Sequence, residues 1–301
     1  SILISTQETT SAQSKTEEGY QPVILQMTLV HPLGTNGKNI DVQNYTSFNL
    51  IYGKAASLKG FEISGIASRL NDYGEGVQVA GIGNAVENYF KGVQIAGFGN
   101  AIGGNLEGAQ ISGFGSIVGS SVRGLQIGGF GAITGADVEG MQISGFGNIT
   151  GGSAKGFQIA GFGNITGGEM SGFQLAGFGN ISGGNGDGAQ IAGFANVNGA
   201  FNGFQLAAMN VNGTGKGFQL GIVNIAESYE GVPVGVITWV KDGYRKLDVW
   251  GNESFYLNAG FKTGIKGFYN ILAVGFRPGS DFSRYGLGWG LGSEISLGKS
   301  A

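Results

Sequence analysis

A glutamine recurs every sixteen residues, without exception, at Gln78, Gln94, Gln110, Gln126, Gln142, Gln158, Gln174 and Gln190. Glu62 holds the same place one unit earlier, and the spacing shortens to fifteen at Gln205 and fourteen at Gln219. Pro233, in Gly-Val-Pro-Val-Gly, closes the series, and a glycine stands two residues before each of these positions from Gly60 to Gly231. The unit reads Gly-φ-Gln-φ-small-Gly-Phe-Gly-Asn-φ-x-Gly-Gly followed by three variable residues, with φ apolar. A period kept free of insertions means that every unit follows the same path, which is what stacked repeats require.

The unit is not helical. Each interior glycine would cost a helix ~1 kcal/mol, and φ-Gln-φ alternates with the period of a strand. In Phe157-Gln158-Ile159 the two apolar side chains share one face of the strand and the glutamine takes the other. Phe162 falls in the opposite phase, and a bend at Gly161 would return it to the apolar side.

Two all-β architectures fit. In a β-solenoid, each unit is one coil, and twelve glycine-headed units make a rod of roughly 58 Å at ~4.8 Å per coil. The column Phe98, Phe114, Phe130, Phe146, Phe162, Phe178 and Phe194 would then stack inside, together with the Ile column that begins at Ile95. Asn84, Asn100, Asn148, Asn164, Asn180 and Asn196 would form a structural amide ladder at a turn, with Ser116 and Ala132 as exceptions. The Gln row would lie outside as a regular amide face, suited to a protein or carbohydrate partner. The other architecture is an antiparallel meander, closed or not into a membrane barrel. Its strands would have about six residues, against the ~9–11 that a membrane strand needs, so the solenoid is preferred.

The organisation follows. Residues 1–19 read as a polar tail, although Ser1-Ile2-Leu3-Ile4-Ser5 ahead of Ser11-Ala12-Gln13 also fits the remnant of a signal peptide. Residues 20–59 hold N-terminal strands, 60–236 the repeats, and 237–301 further strands; both flanks are expected to be antiparallel. In the last of them Tyr285, Leu287, Trp289, Leu291, Ile295 and Leu297 alternate with Gly286, Gly288, Gly290, Gly292, Glu294 and Ser296. Such strands would cap the open end of a solenoid or touch an outer membrane.

Little in the chain points to chemistry. It contains no cysteine and one histidine, His31, which leaves no thiolate, no His/Cys metal cluster and no apparent catalytic triad. Glu107, Asp137, Glu139, Glu169 and Asp187 fall in the variable part of the unit and form no recurring pair. No cofactor is implied. The formal charge of −3 offers no basic field for nucleic acid. Thr134, Thr150 and Thr166 make a row too short for an ice-binding array. Charged residues amount to 12%, about half the usual ~25%, as in a chain whose surface meets something other than bulk water or is polar through Gln, Asn and Ser.

Units such as Gly156-Phe157-Gln158-Ile159-Ala160-Gly161-Phe162-Gly163-Asn164-Ile165, the closing Gly217-Phe218-Gln219-Leu220-Gly221-Ile222-Val223-Asn224, and the segment Asp242-Gly243-Tyr244-Arg245-Lys246-Leu247 resemble the glycine-rich surface-repeat proteins of Leptospira and Bacteroidetes. The likeness covers most of residues 20–301. It implies an exported protein of a Gram-negative-type cell envelope, outer membrane or cell surface; the residues themselves read as a non-catalytic structural or interaction protein presenting a regular Gln/Asn face, or alternatively as an outer-membrane barrel or barrel-associated protein. The resemblance brings no activity and no functional residues.

Overall fold

The structure, a computed structural model, describes residues 19–279 and 284–294. The tail or signal remnant at residues 1–18, and Ile295 and Leu297, lie outside the described residues. The described chain is all β, a parallel solenoid followed by a small antiparallel sheet. Pairing within the repeats is parallel and in register, coil upon coil, so the described repeats form neither an antiparallel meander nor a closed barrel.

The first coils are irregular. β1 (Gln21–Val30) pairs in parallel with β3 (Val42–Ala55), and only the two-residue β2 (Leu33–Gly34) pairs antiparallel with β1. The expectation of antiparallel N-terminal strands therefore holds for that short contact alone. β4 to β23 then build the regular coils between Ser57 and Val240.

The coil beginning at Leu106 shows the path. β10 (Leu106–Ser112) bends at Gly108, the chain turns a corner at Gly113-Phe114, β11 (Gly115–Val118) returns, and a turn through Gly119-Ser120-Ser121 leads to the next coil. The bend uses a glycine in every coil, with φ between +107° and +146° at twelve positions from Gly60 to Gly231. These glycines also stack closely. A Cβ on Gly156 would sit 2.1 Å from the Gly140 carbonyl oxygen, so both the backbone angle and the coil spacing exclude a side chain.

Alternation on either side of the bend decides what goes inside. Leu106, Gln110, Ser112, Ser116 and Val118 point inward and are buried, while Glu107, Ala109, Ile111, Phe114 and Ile117 point outward. Near the variable turn the interior is apolar in the first coils, with Leu58, Leu70, Phe90 and Leu106 fully buried. It becomes polar further along, through Thr134, Thr150, Thr166, Ser182, Asn198 and Asn212.

The C-terminal sheet consists of β24 (Tyr244–Trp250), β25 (Leu257–Ile265), β26 (Phe268–Arg277) and β27 (Arg284–Gly292), paired antiparallel in that order. It lies across the last coil. The Thr263 hydroxyl donates to the Thr238 carbonyl at 2.7 Å, the Trp289 indole to the Val236 carbonyl at 3.2 Å, and the Asn270 amide to the Gly235 carbonyl. A solenoid end is a strand edge with unpaired backbone groups, and this sheet supplies donors to three of its carbonyls.

Candidate interaction surface

The Gln row is inside. Gln78, Gln94, Gln110, Gln126, Gln142, Gln158, Gln174 and Gln190 are all buried, and the expected outward amide face does not exist. The compensation is visible in the bonding. Each Nε2 donates to the Oε1 one coil earlier: Gln94 to Gln78 at 2.7 Å, Gln142 to Gln126 at 2.8 Å, Gln174 to Gln158 at 2.6 Å. Identical amides at one coil's spacing satisfy one another, which removes most of the cost of burying them. From Gln126 onward the threonine opposite is recruited too, as Thr134, Thr150 and Thr166 donate to Gln126, Gln142 and Gln158 at 2.9–3.0 Å. Those threonines are buried and offer no outward array.

At its N-terminal end the ladder stops on a carboxyl group. Glu62 accepts from Gln78 at 2.8 Å and Asn49 at 2.9 Å. An acceptor-only carboxylate suits a site where the neighbouring amides donate. Burial pushes the Glu62 carboxyl above the ordinary glutamate range, and the bonds from Gln78 and Asn49 oppose that shift.

Asn84, Asn100, Asn148, Asn164, Asn180 and Asn196 are also buried, and their ladder runs the opposite way. Asn148 donates to Asn164, Asn164 to Asn180 and Asn180 to Asn196, each at 2.8–2.9 Å. The same Nδ2 groups donate to a backbone carbonyl eleven residues on, as from Asn164 to Leu175 at 2.9 Å. Where Ala132 interrupts the row, the Asn148 Oδ1 is buried with no donor.

The Phe column, expected inside, is outside. Phe98 to Phe194 are 46–57% exposed, on the corner where the two strands of each coil meet. The bend beside Phe162 is present, but it turns the whole chain and does not bring the ring in. The two strands converge there so closely that in one coil the Ser112 and Ser116 hydroxyls bond across the interior at 2.9 Å, and no ring would fit between them. The rings instead stack along the rod, with centroids 4.8–5.1 Å apart and planes within 17°.

Three further rows accompany the Phe corner: Phe61 to Val232 and Ile63 to Val234 on one flank, Arg69 to Trp239 on the other. The corner row itself runs from Ile66 to Val236. In these four rows of twelve outward side chains the single charged or polar member is Arg69, in the first regular coil. Charge collects on the opposite edge. Lys59, Glu75, Lys91, Glu107, Arg123, Glu139 and Lys155 follow one another coil by coil with alternating sign. Neighbours pair, Arg123 with Glu139 at 3.3 Å and Lys91 with Glu107 at 3.7 Å. Glu107, Asp137, Glu139, Glu169 and Asp187 are exposed along this side. Among the described residues no group of three or more His, Asp or Glu is placed to hold a metal ion.

The sequence contained the signal for this surface. Every apolar column is visible in the sequence, but hydrophobicity alone gives the opposite phase, because an amide repeated at each coil is able to occupy the interior. Comparison with known protein families, with characterised proteins and with solved structures finds no match.

Proposed function

We propose that this chain is a non-catalytic structural or interaction protein of a bacterial cell envelope, exported and working through the apolar lateral surface of its solenoid. One observation carries the reading: the polarity of the solenoid is inverted, with amides inside and four nearly uncharged apolar rows outside. Monomeric soluble proteins rarely expose contiguous apolar patches beyond ~300–600 Å². Flanks of about four residues each, over twelve coils, present roughly 1,500 Å². A surface of that size is suited to be covered. The envelope placement draws on the resemblance to glycine-rich surface-repeat proteins and on the scarcity of charge. Glu107 and Glu139 speak against a catalytic reading, since they lie in a solvated row where Lys91, Arg123 and Lys155 neutralise them.

The test removes the surface and spares the core. A triple variant Phe130→Ser, Phe146→Ser, Phe162→Ser is expected to keep the β circular dichroism and cooperative melting of the parent. It should lose most of the parent's co-sedimentation with isolated bacterial envelopes. A folded triple variant that still sediments as the parent does would end the proposal.

A further inference from the structure

We infer that the occupant of this surface is the hydrocarbon of a lipid bilayer, with the solenoid axis in the membrane plane and the Phe corner sunk into one leaflet. The inference rests on the reading above of the lateral surface as the working face.

Shape argues first. The apolar rows lie on both flanks of a convex corner, so the surface is a wedge. One flank offers roughly 750 Å², about what one partner contributes to a standard protein interface, so a second copy laid on it would leave the other flank bare. A fluid apolar medium wets both. Each flank is four residues deep, the part of β10 beyond its bend and the whole of β11, a reach of ~13 Å, close to the ~15 Å of hydrocarbon in one leaflet.

Backbone chemistry agrees. Hydrocarbon admits only surfaces whose N–H and C=O groups are already bonded. At the corner, the Phe146 N–H donates to the Phe130 carbonyl at 2.8 Å and the Gly147 N–H to the same oxygen at 3.2 Å, a pattern repeated coil after coil. The buried amides are likewise paired along the rod.

Charge then fixes the orientation. The alternating Lys/Glu row runs along the edge opposite the Phe corner, where it would stay among headgroups and water. A rod standing across the membrane would drag that row through the hydrocarbon, and its apolar length of roughly 58 Å is nearly twice the ~30 Å available. The C-terminal sheet adds exposed apolar side chains beside the end of the corner row. Trp289 bonds Val236, the last member of the corner row, and beyond that contact Leu287 and Tyr285 are 91% and 78% exposed. Because the charged edge is self-neutralising, binding should need no anionic lipid.

The probe is a vesicle of phosphatidylcholine alone, floated on a density gradient with the full chain. Expected are flotation that persists at high salt, and a reporter pattern. Phe130→Trp fluorescence is quenched by acyl-brominated phosphatidylcholine beyond the parent's background, and Ser171→Trp, on the charged edge, is not. A Phe146→Asp, Phe162→Asp variant with unchanged circular dichroism should float roughly tenfold less or worse. The inference is overturned if that variant floats as the parent does, or if Ser171→Trp is the reporter quenched. It is also overturned if the protein ignores vesicles and forms a dimer that the Asp substitutions abolish. Binding to isolated envelopes without binding to vesicles would remove the lipid and leave the proposed function standing. Binding to neither would remove both.

Discussion

A buried glutamine is tolerable only when both ends of its amide are bonded, and Gln142 meets that condition. Its Nε2 donates to Gln126 at 2.8 Å and Thr134 at 3.1 Å, and its Oε1 accepts from Gln158 at 2.7 Å and Thr150 at 2.9 Å. Gln142→Leu would take the acceptor from the Thr150 hydroxyl and a partner from Gln158. The expected loss is about 2–4 kcal/mol in thermal or denaturant unfolding, since each orphaned buried group costs ~1–3 kcal/mol. Phe146→Asp, four residues away and on the exposed corner, should cost no more than about 1 kcal/mol. Sequence patterning predicts the reverse order, so the pair tests the inverted phase directly: a Phe146→Asp variant that unfolds while Gln142→Leu melts normally would refute it. Ala132 offers the opposite change. It is fully buried in the asparagine row, below an Asn148 oxygen that has no donor. Ala132→Asn would place an amide donor beneath that oxygen and is expected to stabilise by about 1 kcal/mol. A lower midpoint would mean that the chain has closed the gap at Gly128, where even a Cβ would lie 1.9 Å from the Gly131 carbonyl oxygen.

The elements show which parts of the fold the sequence makes legible. Coil length and repeated stacking follow from the regular period, which favours parallel coils without excluding a meander, whereas the left-handed bend at the glycine column shows only in the structure. The inward position was harder to read, because hydrophobicity and ladder-forming capacity point to opposite faces in Gln-Ile, and a single unit cannot show that its amide will find an identical partner one coil away. Other local details were readable only in pairs of coils. Gly74, Gly186 and Gly215 look like further flexible positions. Each in fact lies under an inward aromatic ring one coil later, Phe90, Phe201 and Tyr229, and a Cβ there would come within 2.3–2.5 Å of the ring. Small-beneath-large alternation along the axis keeps the interior filled without changing the coil spacing. The C-terminal strands were visible as alternating sequences, but their lid-like placement depends on Thr263, Asn270 and Trp289 meeting the carbonyls of the last coil, contacts no periodicity announces.

At the scale of the whole molecule the solenoid is a one-dimensional stack, so its stability should be close to a sum over coils and their junctions. Removing one complete coil keeps every remaining side chain in phase. Deletion of residues 154–169 is therefore expected to leave a cooperative fold and to cost about 1–2 kcal/mol, the share of sixteen ordinary residues in a domain's stability. Deletion of residues 122–137 should cost less. That coil carries the Ala132 interruption, and without it Ser116 would lie beneath Asn148, as Ser68 lies beneath Asn84 with its hydroxyl donating at 2.8 Å. The orphaned Asn148 oxygen would then gain a donor. The same deletion removes Arg123 from between Glu107 and Glu139, leaving two carboxylates adjacent on the exposed edge. This repulsion is weak at the surface and screened by salt, so the advantage of the 122–137 deletion over the 154–169 deletion should widen as ionic strength rises. Denaturant unfolding of the two chains at low and high salt measures both effects. Equal losses at high salt would show that the missing asparagine carries no cost, and loss of cooperativity in either chain would refute the additive stack.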